Sequence, residues 1–445
     1  MLIKTRLFFM LNFSNISPVS YSGKVISVNG SSICAELPFA SLGDIVRIDR
    51  KPEPLLAEVV SFNCNQTFLS PLGHLEAVHP GAIVKTSQEE RTLNIRPELM
   101  GCVLNSLGMP ISAGFKTDST TLTNSAVKLP RGSYQYFTVP KPVLERRPVT
   151  EVLETGIRSI DTFNTLGKGQ RIVILAEPGV GKSSMLLSLA ENVKVDLVIV
   201  ALIGERGREV SEFYEEINAS RARERTIVVA STSDEPAPLR RKAADTAIRI
   251  AEIAADEGLH VLLAFDSLTR YLRSLRDLGL AAGELPIRRG YPASVFEKIP
   301  GLMERAGAFQ KGSITGVFTM LSSSEVDEDP LVEEVKGLTD GHLILTRKLA
   351  ENSHFPAIDI RYSLSRLHRR FWDEETLAAQ SHIKARYSEL IDSKDLLLVS
   401  GNRDEINNSQ EELFAINSFL KQDIRQYSSR EENVKLLKEL KSKIG

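Results

Sequence analysis

Short hydrophobic runs separated by turn residues dominate about the first fifth of the chain. From Tyr21 to about residue 90, runs of alternating apolar and polar positions are broken by Gly, Pro and Asn. The runs KVISV and ICAEL flank Asn29-Gly30, a dipeptide typical of a two-residue hairpin turn with positive φ. Further strand-like runs read IVRI, LAEVVSF and AIVKT. Because many short strands with frequent turns close on themselves, residues 21–90 are predicted to form a small β-barrel.

The pattern changes after residue 150, where strongly apolar runs alternate with helical periodicity. Such alternation is typical of an α/β fold, in which a mostly parallel sheet is connected by crossover helices. The helical periodicity is clear from Ala243 to Ala255. The ligands of such sheets bind at the carboxyl ends of the strands. The predicted strands are Ile172–Leu175, Leu197–Ile203, Thr226–Ala230, Val261–Phe265, Ile314–Leu321 and His342–Leu345.

The remaining segments complete a predicted division into five parts. Residues 1–20 are interpreted as an N-terminal tail before the barrel, and residues 91–149, rich in Pro and Gly, as a connector. Residues 150–370 form the predicted α/β domain. After residue 370 the chain is helical and highly charged, which predicts a small helical C-terminal domain at 371–445. Its helical runs are LAAQSHIKARYSELI, EELFAINSFLKQDI and REENVKLLKELKSKI.

Composition indicates a globular protein and excludes several classes. The 445 residues carry 55 basic and 57 acidic side chains, so no general attraction to nucleic acid follows. The cysteines lack the paired spacing of a zinc site and fit a reducing cytosol. The apolar run Leu7–Phe13 is too short to span a bilayer and has no small-residue cleavage site. We therefore expect a soluble, cytoplasmic protein whose N-terminal run either frays or touches a partner or a membrane surface.

The segment IVILAEPGVGKSSM, residues 172–185, joins a strand, a glycine-containing loop and the start of a helix. Glycines let the backbone turn its N–H groups inward around an anion, and the helix dipole favours the same negative charge. The Lys side chain supplies a charge for the β- and γ-phosphates of a nucleotide, and the Ser183 hydroxyl is an expected Mg²⁺ ligand. Ala176 stands where the usual motif begins with Gly. The alternative is an ordinary strand-to-helix turn. The expected phosphate-binding residues are Gly179, Val180, Gly181, Lys182, Ser183 and Ser184.

Two acidic residues follow apolar strands and are candidates for the chemistry. Glu205 follows LVIVALIG, where a carboxylate can reach the γ-phosphate and hold the attacking water, with Glu209 one helical turn later as a second candidate. An equally good interpretation from spacing alone is a surface ion pair of Glu205 with Arg206 or Arg208. Asp266 ends the strand VLLAF, as a carboxylate that positions magnesium would.

Two further residues are candidates on weaker grounds. Arg366 carries a permanent charge that could neutralise the γ-phosphate, but spacing does not separate it from Arg361, Arg369 or Arg370, and a solvated basic surface explains all four. Phe355 precedes Pro356 and offers an aromatic ring for stacking on adenine, although a core phenylalanine is the more common explanation.

These motifs together resemble a known family. The runs GVGKSS, ALIGERGREV, DSLTRY and HFPAIDI look like the ATPase of bacterial type III secretion systems, whose nearest relative is the flagellar export ATPase. Both are similar to the catalytic subunit of rotary F- and V-type ATPases. The resemblance is dense from about residue 150 to residue 366. It implies a central RecA-like P-loop domain with ATP and Mg²⁺ as cofactors, and it supports the N-terminal barrel.

The resemblance also implies a role for individual residues. Lys182 and Ser183 correspond to the phosphate and magnesium ligands of the family, Glu205 to its catalytic glutamate, Arg206 to a nearby charge, and Asp266 to the acid on the metal side. In the family, an arginine finger is supplied by the neighbouring protomer, so that the active enzyme is a ring of six. That finger falls on Arg366, and the aromatic residue that packs on adenine falls on Phe355.

The implied function is ATP hydrolysis by a homohexamer at the cytoplasmic face of a type III secretion apparatus, driving chaperone release, unfolding and export. The implied partners are stator and central-stalk proteins, the export gate and chaperone–effector complexes, at the inner face of the bacterial inner membrane. Flagellar export, rotary ATP synthesis and RNA-translocating termination are alternatives within the enzyme class, and a non-enzymatic nucleotide-binding ring is an alternative outside it. The N-terminal part lacks the interleaved basic and aromatic residues of an RNA binder, so no nucleic-acid partner is expected.

Overall fold

A computed structural model describes residues 21–29, 32–63, 66–86, 92–111, 129–136, 138–321, 329–393 and 403–444. The apolar run Leu7–Phe13 and Gly30 of the predicted hairpin turn lie outside the described residues. The described chain forms two compact units, one ending at Thr92 and one beginning at Leu93. The finer predicted division of the second unit into a connector, an α/β domain and a helical domain stays a prediction.

Six antiparallel strands close the first unit into a barrel, in the order β1-β2-β5-β4-β3-β6, which confirms the predicted barrel. Side chains along a strand alternate between the inside and the outside of the barrel. Val46 and Ile48 are fully buried in its core, whereas Arg47 between them is exposed. One strand, β5, was not among the predicted runs. The strands are β1 (Ser22–Asn29), β2 (Ser32–Glu36), β3 (Ile45–Ile48), β4 (Leu55–Asn63), β5 (Gln66–Pro71) and β6 (Ile83–Thr86).

A mostly parallel sheet forms the centre of the second unit, as predicted. Its order is β21-β20-β12-β19-β15-β13-β14-β8, with β18 pairing beside β19. Each of the six predicted strands is present, with ends at most two residues from the predicted ones. The strands are β8 (Val103–Leu104), β12 (Arg171–Ala176), β13 (Leu197–Glu205), β14 (Thr226–Thr232), β15 (His260–Asp266), β18 (Gly307–Ala308), β19 (Ser313–Leu321), β20 (Gly341–Leu345) and β21 (Leu364–Ser365).

The edges of this sheet hold two short strands that the sequence pattern did not predict. At one edge β8, from the predicted connector, lies parallel to β14. At the other edge β21 lies antiparallel to β20. Both contain two residues, too few for a period to be visible in the sequence.

Separate two-stranded sheets pair β7 (Thr92–Ile95) with β9 (Gly132–Gln135), β10 (Val152–Leu153) with β11 (Leu166–Gly167), and β16 (Pro286–Arg288) with β17 (Tyr291–Pro292).

Some helices of the second unit pack on the sheet, and the last three come after it in the sequence. In α4, Ala243, Ala247, Ala251 and Ala254 are fully buried at helical spacing, so small side chains let this helix approach β13 and β14. The helices are α1 (Arg158–Phe163), α2 (Lys182–Asn192), α3 (Gly207–Asn218), α4 (Ala237–Asp256), α5 (Leu268–Ala281), α6 (Ala293–Met303), α7 (Pro330–Leu338), α8 (Arg347–Glu351), α9 (Glu374–Asp392), α10 (Arg403–Leu420) and α11 (Arg430–Ile444).

The last three helices, α9 to α11, confirm the predicted helical character of the C-terminal part. Their apolar faces form a core around Ile383, Ile416 and Leu437. Phe163 of α1 and Ile360 belong to the same core, so these helices pack directly on the part that carries the sheet. Within the described ranges, no helix combines the length and apolar character needed to cross a membrane.

Candidate active site

The loop between β12 and α2 has the conformation that the sequence predicted. Gly179 and Gly181 have φ values of 82° and 92°, in the left-handed region that side chains with a Cβ rarely adopt. Gly181 is the N-cap of α2, and the helix begins at Lys182. The first N–H groups of a helix have no intrahelical acceptor, so the loop faces an end of α2 that favours an anion. Between the glycines, Val180 is buried and anchors the loop.

Lys182 and two acidic residues from different strands meet beside this loop. Lys182 Nζ lies 2.5 Å from Asp266 Oδ1 at the end of β15 and 3.6 Å from Glu205 Oε1 at the end of β13. All three side chains are at most 13% exposed. Since β19 lies between β12 and β15, its Thr319 hydroxyl also reaches the cluster and donates to Asp266 Oδ1 at 2.7 Å. The carboxyl ends of the strands thus bring the predicted charges together.

Glu205 faces this cluster and not the solvent. Arg270, in α5, places its Nη2 atom 3.1 Å from Glu205 Oε2. Its Nη1 atom donates to the Gly204 carbonyl at 2.8 Å. Arg206 is instead 76% exposed and lies 3.5 Å from Glu209. Arg208 pairs with Glu212 on the surface. The alternative of a surface ion pair between Glu205 and Arg206 or Arg208 is therefore wrong.

The pKa of Glu205 is raised to about 7, chiefly by burial and then by the negative charge of Asp266. The charge of Lys182 opposes this rise. A hydrogen bond with Glu209 raises the pKa of Glu205 further and lowers that of Glu209, so the shared proton resides on Glu205. A carboxylate with a pKa near neutrality suits proton abstraction from water.

This shared proton predicts a pH dependence. Only ionised Glu205 can accept a proton from water, so kcat/KM is expected to fall about tenfold per pH unit on the acid side of its pKa. Glu209→Gln removes the carboxylate that accepts the proton of Glu205, so the acid limb should move to lower pH. Comparing the two pH profiles cancels the titration of ATP itself. Superimposable profiles would show that Glu209 does not set the ionisation of Glu205.

Residues of this site fit a magnesium ion that arrives together with a nucleotide. Among the described residues, no group of three or more His, Cys, Asp or Glu side chains could hold a metal by itself. Mg²⁺ does not require such a cage, because it usually binds one or two protein oxygens together with substrate phosphates and water. The exposed Ser183 at the start of α2 offers a hydroxyl oxygen as a ligand, and Asp266 at the end of β15 offers a carboxylate oxygen beside Lys182.

Phe355 lies against the glycine loop and is not a core residue. A Cβ added to Gly181 would meet Phe355 Cε1 at 3.4 Å, yet Phe355 remains 43% exposed. Phe355 is therefore partly exposed next to the loop, as a residue that packs on a nucleotide base needs to be. Arg347 of α8 pairs with Glu177 of the loop at 3.2 Å, so the segment before Phe355 is tied to the loop as well.

Arg366 is the one predicted site residue that lies far from the loop. It follows β21, and its backbone N–H donates to Asp340 O at 2.9 Å, while the Asp340 N–H donates to Arg171 O at 2.8 Å. Arg171 begins β12, whereas the glycine loop follows its other end. Five residue steps of a strand span about 16 Å, so Arg366 lies at the opposite end of the sheet from Lys182. Its exposed side chain makes no hydrogen bond or ion pair with the described part of the chain.

Sequence reasoning missed two residues of the site. Arg270 holds Glu205, and its only signal was a position four residues after Asp266, in the first turn of the helix that follows. Thr319 donates to Asp266, but no local pattern distinguishes it from other threonines of buried strands.

Comparisons with known proteins identify the family of this chain. Residues 156–365 match the model of the ATP synthase alpha/beta family, nucleotide-binding domain. The flagellum-specific ATP synthase of Bacillus subtilis (strain 168) is 36% identical over 427 residues, 94% of each chain. The type 3 secretion system ATPase of Pseudomonas syringae pv. tomato is 36% identical, over 93% of this chain and 92% of that protein.

A solved structure is similar over nearly the whole chain. The assembled ATPase EscN in complex with its central stalk EscO, from the type III secretion system of enteropathogenic E. coli, superposes with a TM-score of 0.83. EscN is 35% identical, and the match covers 94% of this chain and all of that chain. The chain therefore belongs to the ATP synthase alpha/beta family, and it is an ATPase similar to the type 3 secretion and flagellar members of that family.

Proposed function

We propose that this chain hydrolyses Mg-ATP as a homohexamer that serves a type III protein secretion apparatus. The observation that carries the proposal is the meeting of Lys182, Glu205 and Asp266 beside the glycine loop. Similarity to secretion ATPases over almost the whole chain supports the secretion role. In this role, ATP hydrolysis releases chaperones from secreted proteins and helps to unfold and export them.

Each residue of the cluster has a task in this proposal. The phosphates bind at the glycine loop and the start of α2, where Lys182 leaves Asp266 to contact the β- and γ-phosphate oxygens. Glu205 accepts a proton from the water that attacks the γ-phosphorus, while Arg270 holds its other oxygen and Arg206 adds a nearby positive charge. Ser183 and Asp266 would hold magnesium, which would supply positive charge for the phosphate oxygens.

Base recognition and oligomerisation complete the proposed site. Phe355 packs on adenine with its exposed face. Arg366 lies about 16 Å along the sheet from its own glycine loop, so its guanidinium completes the site of the next protomer. The absence of a side-chain partner for Arg366 in the described part of the chain supports a task outside its own protomer. A ring follows, because each protomer gives one arginine and receives another.

The proposed partners follow from the relatives. EscN is described with a central stalk, EscO, and we propose an equivalent stalk here, together with a stator, the export gate and chaperone–effector complexes. The proposed location is the cytoplasm, peripheral at the inner face of the bacterial inner membrane. Flagellar protein export is the second candidate function, because the flagellum-specific relative of Bacillus subtilis is 36% identical, as is the type 3 secretion relative of Pseudomonas syringae pv. tomato.

Deletion of the gene in its host tests the secretion role. We expect needle and effector proteins to disappear from the medium, as measured by mass spectrometry of secreted proteins. A wild-type allele should restore them and a Glu205→Gln allele should not, because export requires turnover. Glu212→Gln, on the exposed surface of α3, is the matched control and should restore export fully.

Three outcomes of this deletion separate the candidate functions. Loss of needle and effector proteins supports the type III secretion apparatus. Loss of flagellin with the other secreted proteins unchanged favours flagellar export. An unchanged set of secreted proteins contradicts both functions and would favour another use of ATP.

A further inference from the structure

Gln422 is a buried residue within an exposed segment. It follows α10, and residues 421–426 are otherwise exposed, whereas Gln422 is 8% exposed. Its side chain uses both of its polar ends. Oε1 accepts from the Arg158 N–H at 2.7 Å, and Nε2 donates to Gly156 O at 2.7 Å and to Gln426 O at 2.6 Å. These bonds fasten the segment after α10 to the start of α1.

The backbone of the same residue holds Phe355. The Gln422 N–H donates to Phe355 O at 2.9 Å. Next to it, the buried His354 hydrogen-bonds with Asn417 of α10. Both residues at this point of the nucleotide site are therefore held by the C-terminal part of the chain, and the Phe355 ring in turn lies against Gly181.

A second contact joins the same segment to the other end of the phosphate-binding helix. Asn192, the last residue of α2, donates to Ile424 O at 3.2 Å and to Gln426 O at 3.4 Å. The segment 422–426 thus touches the helix that begins at Lys182 as well as the residue beside its N-terminus. A displacement of this segment would change the distance between the Phe355 ring and the glycine loop.

We propose that Gln422 is a positioning residue that holds Phe355 against the glycine loop, so that the packing of the C-terminal helices sets the affinity of the site for the base of ATP. This inference rests on the base-packing role of Phe355 in the proposed function. The side-chain hydrogen bonds of Gln422 go to Gly156, Arg158 and Gln426 and not to Lys182, Glu205 or Asp266, so we expect its effect to fall on base binding and not on the hydrolytic step.

Kinetic measurements with ATP, and with an inhibitor that lacks the adenine base, test this inference. In Gln422→Leu, which keeps the approximate volume and removes the side-chain hydrogen bonds, we expect the KM for ATP to rise about threefold to tenfold. The kcat should stay within about twofold, since Lys182, Glu205 and Asp266 are unchanged. The inhibition constant of inorganic tripolyphosphate, which has no base, should also be unchanged. All measurements use assembled protein at a concentration where specific activity no longer rises.

Three further variants make the result specific. Phe355→Ala should raise the KM for ATP about tenfold, the usual size of an aromatic–base stacking contact. Adding Gln422→Leu to Phe355→Ala should then raise the KM no further, because the residue that Gln422 positions is gone. Gln426→Leu is the matched control. It makes the same substitution in the same segment, at an exposed side chain, and should leave the KM unchanged.

The outcomes separate this inference from the proposed function. If Phe355→Ala leaves the KM for ATP unchanged, the proposed base-packing role is wrong. If Phe355→Ala raises the KM but Gln422→Leu does not, the positioning role is wrong. The positioning role is equally wrong if Gln422→Leu weakens the binding of tripolyphosphate as much as the binding of ATP. It is also wrong if adding Gln422→Leu to Phe355→Ala raises the KM for ATP further. Should Gln422→Leu fail to fold, Gln422→Glu decides by the same measurements, because it keeps Oε1 as an acceptor and loses the two Nε2 donations.

Discussion

Rings made only of Arg366→Ala protomers are expected to hydrolyse ATP about a thousandfold more slowly than the parent, the usual effect of losing an arginine finger. The reason is that, in the proposed function, the guanidinium neutralises charge that develops on the γ-phosphate in the transition state. ATP binding should be nearly unchanged, since the glycine loop, Lys182 and Phe355 remain intact. The measurement is steady-state phosphate release together with ATP binding by the same assembled protein.

Mixed rings test whether the arginine acts on the neighbouring protomer. Rings of Arg366→Ala and rings of Glu205→Gln should each be nearly inactive. A mixture should recover part of the activity, at interfaces where the intact Glu205 of one protomer meets the intact Arg366 of the other. If rings shown to contain both variants stay inactive, the proposed action between protomers is wrong. Arg370→Ala, at an exposed arginine of the same basic segment, is the matched control and should behave like the parent.

Glu205→Gln is expected to lower kcat about a hundredfold to ten-thousandfold, the range for loss of a positioned general base. The amide keeps the shape of the side chain but cannot accept a proton from water. ATP binding should persist, because Lys182 loses one of its two nearby carboxylates and becomes more available to phosphate. Single-turnover kinetics separate the hydrolytic step from binding.

Two controls accompany the Glu205 experiment. Glu212→Gln, the same substitution in a surface ion pair, should hydrolyse ATP at the parent rate. Lys182→Ala should lose hydrolysis through weaker phosphate binding, and so differ from Glu205→Gln in its affinity for ATP. If Glu205→Gln turns over normally, the catalytic base lies elsewhere, and Glu209 is the next candidate because it shares a proton with Glu205.

Long buried strands and the glycine loop could be predicted because their signals are local. A run such as LVIVALI contains enough consecutive apolar residues to indicate a strand buried on both faces, and this run does form β13. Gly179 and Gly181 allow the positive φ values that a phosphate-binding loop requires. The short strands β8 and β21 could not be predicted, because two residues show no period and form a strand only beside a neighbour.

Candidate residues at strand ends could be named from the sequence, but their partners could not. Lys182 and Asp266 are 84 positions apart, and they meet because β19 and β15 follow β12 in the order of the sheet. The same strand order brings Arg270 to Glu205. This contact excludes the surface ion pair of Glu205 with Arg206 or Arg208, which spacing alone made an equally good interpretation. These contacts depend on which strands are neighbours, and a pattern along the chain does not contain that information.

By itself, the sequence therefore determined the long strands of the central sheet, the position of the glycine loop and the acidic residues that end strands, since hydrophobic period and glycine conformation act over a few residues. Only the tertiary structure decided that Glu205 is buried with a raised pKa, that Phe355 is partly exposed beside Gly181, and that the Gln422 N–H donates to the Phe355 carbonyl from the C-terminal part. Burial, electrostatic coupling and long-range hydrogen bonds exist only after distant segments have packed together.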